Sequence, residues 1–152
     1  MAKTTLPEAT LFTVGFTRRS AEDFFSTLAD AGVKRVVDIR LHNVSQLAGF
    51  AKRDDLVYFL KTICGIEYLH RPDLAPSAEL LDSYRKKKIA WPEFEASFGK
   101  LMRERGIERQ VDRATLDRGC LLCSEHDPAH CHRRLVAEYL QHHLGNIRIC
   151  HL

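Results

Sequence analysis

Between Gly119 and Arg134 the chain reads Gly-Cys-Leu-Leu-Cys-Ser-Glu-His-Asp-Pro-Ala-His-Cys-His-Arg-Arg, and Cys123, Glu125, Cys131, His132 and Arg133 fall within it. Those residue types support two kinds of chemistry. A thiol at a helix start, beside an imidazole and a guanidinium, ionises readily, which makes Cys131 a candidate nucleophile with His132 next to it. A carboxylate kept ionised among arginines suits a general base or an electrostatic role, which Glu125 or Asp38 could fill. Asp38, Glu125, Cys131 and His132 are therefore the expected catalytic residues. Arg133, Arg40 and Arg18 are the expected holders of a phosphate, helped by free helix amides. A glycosidic bond broken through a cationic sugar transition state needs such a carboxylate and a pocket for the base. A phosphatase loop of the Cys-x5-Arg type is excluded, since ten positions separate Cys123 from Arg133.

These side chains need elements to hold them. The apolar run Cys120 to Cys123, following Gly119, has the length of a buried strand. Asp127 before Pro128 is a helix start signal, leaving Ser124, Glu125 and His126 as the connecting loop. Leu135, Val136, Tyr139, Leu140 and Leu144 recur at helical spacing, and His132 falls near the middle of the face they define, with Cys131 and Arg133 beside it. A single His or Cys at a helix start is more often a cap or a core residue. The convergence of several such residues on one strand-to-helix junction is what favours a site.

Earlier in the chain, Thr10 to Val14 reads as a first strand ended by Gly15, and Ser20 with Asp23 as the cap of a helix that stops at Gly32. Val33 to Ile39 is apolar enough to be a strand buried on both faces, with Asp38 and Arg40 at its end. His42 to Arg53 reads as a long loop; a helix capped by Asp54 or Asp55 follows and ends at Gly65. Ile66 to Leu69 is a third strand leading into His70 and Arg71, and the stretches 77–88, 91–105 and 107–118 are helical by pattern. Lys86 to Lys88, together with Arg85, read as a solvated basic face at a helix end. Asn146 to Leu152 is a last strand.

Strands alternating with helices predict an α/β fold: a mostly parallel sheet with helices on both faces, in a single compact domain over 9–152 behind a flexible stretch at 1–8. Ligands bind such sheets outside the carboxyl ends of the strands. The expected strand ends carry Gly15, Thr17 and Arg18; Asp38 and Arg40; His70 and Arg71; and Cys123 with Arg133. They bring polar, mainly cationic groups to one rim and form the expected substrate-binding set.

The 152 residues suffice for one core without staples, and the net charge of +3 permits an acidic ligand without announcing nucleic acid. Five Cys, an odd number scattered through apolar segments, suit a reducing cytoplasm better than a disulfide framework. No secretory h-region or membrane-length apolar run is present in the sequence, so neither export nor a membrane partner is expected.

Several pieces together resemble the domain of unknown function 488 family. They are Thr13-Val14-Gly15 before a capped helix, Val37-Asp38-Ile39-Arg40, Gly65-Ile66-Glu67-Tyr68 with His70 and Leu74-Ala75-Pro76, and Cys123-Ser124-Glu125 followed by Cys131-His132-Arg133. The likeness runs over nearly the whole chain, and the Cys-x-Glu and Cys-His-Arg pair is its specific part. The family commonly has a His directly after the first Gly, where this chain has Phe16. The resemblance implies an α/β fold and a shared pocket, with no settled reaction.

The leading expectation is an enzyme, a hydrolase or glycosylase-like one, acting on a phosphate-bearing, nucleotide-like or nucleic-acid substrate. One alternative is zinc or iron held by Cys123, His126, Cys131 and His132; Cys120 and Cys123 on one strand point to opposite faces and would not share an ion. Another is a non-catalytic nucleic-acid-binding module using Lys86 to Lys88 and the loop around Phe50. No cofactor is firmly implied. Loss of Arg133 is expected to abolish ligand binding while leaving the melting transition nearly intact.

Overall fold

A computed structural model describes residues 7–43, 49–125 and 128–152. Five strands, β1 (Ala9–Gly15), β2 (Arg35–Asp38), β3 (Glu67–His70), β4 (Gly119–Cys123) and β5 (Ile147–His151), form one sheet in the order β3-β2-β4-β1-β5. Every pairing is parallel, with Gly15 opposite Cys123 and Asp38 opposite both Leu122 and His70. Their carboxyl ends therefore share one edge of the sheet.

Among the described residues seven α-helices connect them: α1 (Ala21–Ala31), α2 (Arg53–Phe59), α3 (Ala78–Arg85), α4 (Trp91–Arg105), α5 (Ile107–Gln110), α6 (Arg113–Leu116) and α7 (His132–Leu144). Pleating divides the apolar side chains between two cores. Phe12, Val14, Val36, Cys120 and Leu122 pack against Phe24, Phe25 and Leu28 of α1 and Leu56 of α2. Leu11, Val37, Leu121 and Cys123 pack against Phe94, Phe98 and Met102 of α4 and Leu135, Val136 and Leu140 of α7. The chain leaves β2 toward one face and β4 toward the other. Neighbouring strands whose connections diverge leave a crevice between their ends, the usual ligand position in open α/β sheets.

Local signals explain most boundaries. The Ser20 hydroxyl accepts from the Asp23 amide at 3.0 Å at the start of α1, and Gly32 takes a left-handed φ of 77° at its end. α2 starts at Arg53, so Asp54 and Asp55 sit inside its first turn rather than capping it, and a π-helical segment, Leu60–Cys64, continues it to Gly65. The helix expected over 107–118 is broken in two, because the Asp112 side chain accepts from the Ala114 amide and restarts the chain as α6. α7 begins at His132 with Cys131 at its N-cap, after a single 3-10 turn, Pro128–His130; the expected start at Asp127 falls outside the described residues, as do His126 and the stretches 1–6 and 44–48. Among the described residues no helix is long and apolar enough to cross a membrane.

Candidate active site

A cavity of about 520 Å³ opens at the crevice between the ends of β2 and β4. Its volume lies within the range of small-molecule sites. Arg40 comes from just beyond β2, Cys123, Ser124 and Glu125 from the end of β4, and Cys131 and His132 from the start of α7. The long crossover from β3 back to β4 supplies the remaining wall, with Tyr84 and Arg85 of α3 and Trp91 and Phe94 of α4. Tyr84, Trp91 and Phe94 touch one another with ring centroids 5.0–5.6 Å apart, and His130 lies 5.1 Å from Trp91. The result is an aromatic wall beside cationic groups.

Arg40 is 3% exposed and tightly held. Its Nε and Nη2 each donate to one oxygen of Asp38 at 2.8 Å, and Nη2 also donates to the Ala51 carbonyl at 2.8 Å. The guanidinium lies 5.1 Å from the centre of the Phe16 ring, a cation–π contact. Nη1 is buried and has no hydrogen-bond partner among the described residues. A buried donor left without any partner costs about 1–3 kcal/mol.

Asp38 does not take the expected place of a general base. Fully buried, it accepts from the Arg40 side chain and backbone amide and, at 2.5 Å, from the Tyr68 hydroxyl, which in turn accepts from Asn43 Nδ2. Burial and the Asp38 carboxylate push the Tyr68 phenol well above its ordinary range, so Tyr68 remains a donor. Asp38 is thus a positioning residue for Arg40.

His132 contributes a neutral imidazole. Its Nε2 lies 2.8 Å from the Ile39 carbonyl, which can only accept, so the proton sits on Nε2 and Nδ1 keeps a lone pair. Burial pushes its pKa down to about 4; the Ile39 hydrogen bond opposes this and the Arg133 charge reinforces it. The expected outcome is an imidazole resonance that does not titrate between about pH 5 and 8, followed by NMR on the disulfide form. Unfolding restores the ordinary value near 6.5, so acid favours the unfolded chain. Stability from this residue is complete above about 6.5 and is lost as pH falls from there toward 4.

Cys131 is not the free thiolate expected of a nucleophile. It is joined to Cys123 in a disulfide that ties the end of β4 to the start of α7, in a chain whose composition asks for no such staple. Cys64, Cys120 and Cys150 are free, and burial pushes the Cys120 thiol far above its ordinary value.

Glu125 is exposed and lines the cavity. Of the expected substrate-binding residues, Arg40 and Cys123 line it and the others do not. Arg133 is 1% exposed and runs under the sheet edge, with Nη1 3.4 Å from the Thr13 hydroxyl. Arg71 forks onto Asp73, and Arg18 is exposed on the turn after β1. His70 Nε2 donates to the Arg40 carbonyl at 2.9 Å, and Thr17 donates from its amide and hydroxyl to the Ser124 carbonyl at 3.1 and 2.8 Å. Gly15 pairs with Cys123 in the sheet. These last three position the loops that carry Arg40 and Glu125 without facing the cavity. Tyr84, Trp91, Phe94 and His130 have no role in the sequence reading, and Arg85, read there as part of a solvated basic face, lines the cavity instead; the signal available is an aromatic and basic cluster in α3 and α4, with His130 on the turn before α7.

The profile of the family described as Domain of unknown function DUF488 matches residues 20–140. The chain belongs to this family. No curated protein and no solved structure matches it. In this DUF488 chain the matched residues contain Asp38, Arg40, Cys123, Glu125, Cys131 and His132, and also both helices of the aromatic wall. Phe16 lies beneath the Arg40 guanidinium, so at this position the ring holds the arginine by its π face.

Proposed function

We propose that this DUF488 protein is an enzyme that binds a nucleotide-like substrate and hydrolyses the bond between sugar and base. The observation that carries the reading is Arg40: a buried guanidinium locked by Asp38, with one nitrogen uncommitted among the described residues, at a cavity walled by Tyr84, Trp91 and Phe94. Phosphate matches a planar guanidinium, and a base matches an aromatic surface. Arg85 at the same cavity adds a second cation for the phosphate. Glu125 provides the one carboxylate lining the cavity among the described residues. It accepts a proton from water as the water oxygen bonds to the anomeric carbon; the carbon–nitrogen bond breaks and the base departs with its electron pair, taking up a proton from solvent. The carboxylate also stabilises the cationic sugar. With three cysteines free, the cytoplasm is the proposed setting.

Calorimetry with nucleoside 5′-monophosphates, nucleosides and inorganic phosphate tests the binding part. Monophosphates should bind at least about tenfold more tightly than nucleosides, and Arg40→Lys should erase that difference because a point charge cannot reproduce the fork. Equal affinity for nucleoside and nucleotide would overturn the phosphate assignment. Trp91→Ala should weaken nucleotide binding by about 1–3 kcal/mol without weakening phosphate. Release of free base, followed by chromatography, should stop in Glu125→Gln while binding persists. Salt-dependent duplex binding that survives Arg40→Lys and Trp91→Ala, with no base released, would favour the non-catalytic module instead.

A further inference from the structure

The disulfide lies where a metal could. We propose that, when it is reduced, Cys123, Cys131 and His132 form a three-ligand site for zinc, with its fourth position open to the cavity.

The donor atoms of these residues already lie within 4.8 Å of one another. Donor pairs on a tetrahedral zinc are roughly 3.5–3.8 Å apart, so a small adjustment of the freed thiols closes the set. His132 is prepared for the role. A metal-bound imidazole characteristically donates its second ring nitrogen to a carbonyl, and Nε2 of His132 already does so to Ile39. That leaves Nδ1 as the ligating atom, and the ring is held in place by its edge-on contact with Phe98, 6.0 Å between centroids. Cys120 is excluded because it packs in the opposite core, against α1. Three protein ligands lining a cavity match the open arrangement of a reactive zinc rather than the closed arrangement of a structural one.

The chemistry balances with an external dithiol as reductant. One dithiol gives two electrons and two protons to the Cys123–Cys131 bond, becoming a cyclic disulfide itself, and leaves two thiols on the protein. Binding of zinc then expels the two thiol protons. Oxidation and metal loading are mutually exclusive, because both use the same two sulfurs. The site is independent of the nucleotide reading and stands or falls separately from it.

The test is a cobalt(II) titration of the intact protein in its disulfide form and after anaerobic reduction and desalting. The reduced protein should take up one cobalt per chain with a thiolate-to-cobalt charge-transfer band, zinc should displace it, and the disulfide form should bind at least about tenfold more weakly without that band. Cys120→Ser should keep the band, Cys131→Ser should lose most of it, and His132→Gln should weaken uptake at least about tenfold. Reduced wild-type protein that develops no charge-transfer band would overturn the site, as would a band that persists in Cys131→Ser. The wild-type comparison decides the matter even where a variant does not fold.

Discussion

Asp38→Ala is expected to destabilise the protein by about 3–5 kcal/mol, read as a shift in the urea midpoint. Both members of the Asp38–Arg40 pair are buried: Asp38 is 0% and Arg40 3% exposed. Removing the carboxylate leaves a guanidinium buried beneath Phe16 with, among the described residues, only the Ala51 carbonyl to accept from it, and leaves the Tyr68 hydroxyl without the acceptor it has in Asp38. The same logic gives the control. Asp38→Ala combined with Arg40→Met removes both charges, and the double variant should be more stable than Asp38→Ala alone, since replacing a whole buried pair by apolar groups is often close to neutral. A double variant that simply sums two losses would show that the pair is not the source of the cost. Nucleotide affinity should fall in Asp38→Ala as well, because an unclamped Arg40 no longer presents Nη1 in a fixed direction.

Arg133→Ala is expected to cost about 2–4 kcal/mol of stability, the reverse of the loss of binding with intact melting that its sequence position suggests. At 1% exposure the whole side chain is core material, sharing the helix face of Val136, Ala137 and Leu140 and reaching Thr13 of β1, whose hydroxyl lies 2.5 Å from Nδ1 of His151 in β5. Truncation leaves a large void under three neighbouring elements. Thermal unfolding and nucleotide titration of the same sample separate the outcomes: the melting transition should drop, while affinity below that transition should change far less than in Arg40→Lys. Wild-type melting together with lost binding would restore Arg133 to the ligand.

The two residues illustrate which parts of the site could be read from the chain. Strand order aside, the alternation of apolar runs, Gly stops and Ser or Asp caps was enough to place β1, α1, α4 and β4, because each depends on contacts a few residues apart. The parallel arrangement then puts Arg40, Cys123, Glu125 and His132 at one edge without further information. The direction of a side chain from that edge is another matter. Asp38 and Arg133 carry the right chemistry, but both point into packed surroundings set by Tyr68, 30 positions from Asp38, and Thr13, 120 positions from Arg133. The Cys123–Cys131 bond was equally hidden: a thiol beside His and Arg reads as a nucleophile until a second thiol is seen to meet it. The aromatic wall depends on the fold-back of a whole crossover, which local pattern does not specify.

That crossover has a consequence for what the fold can become. The floor of the cavity is built from strand ends and the start of α7, whereas Tyr84, Arg85, Trp91 and Phe94 belong to α3 and α4, an excursion between β3 and β4 that carries none of the floor residues. Reactivity and selectivity are therefore encoded in separable modules. Exchanging the stretch that contains α3 and the first turns of α4 would alter which molecules are admitted while leaving the reacting groups where they stand, a natural route by which one scaffold diversifies its ligands.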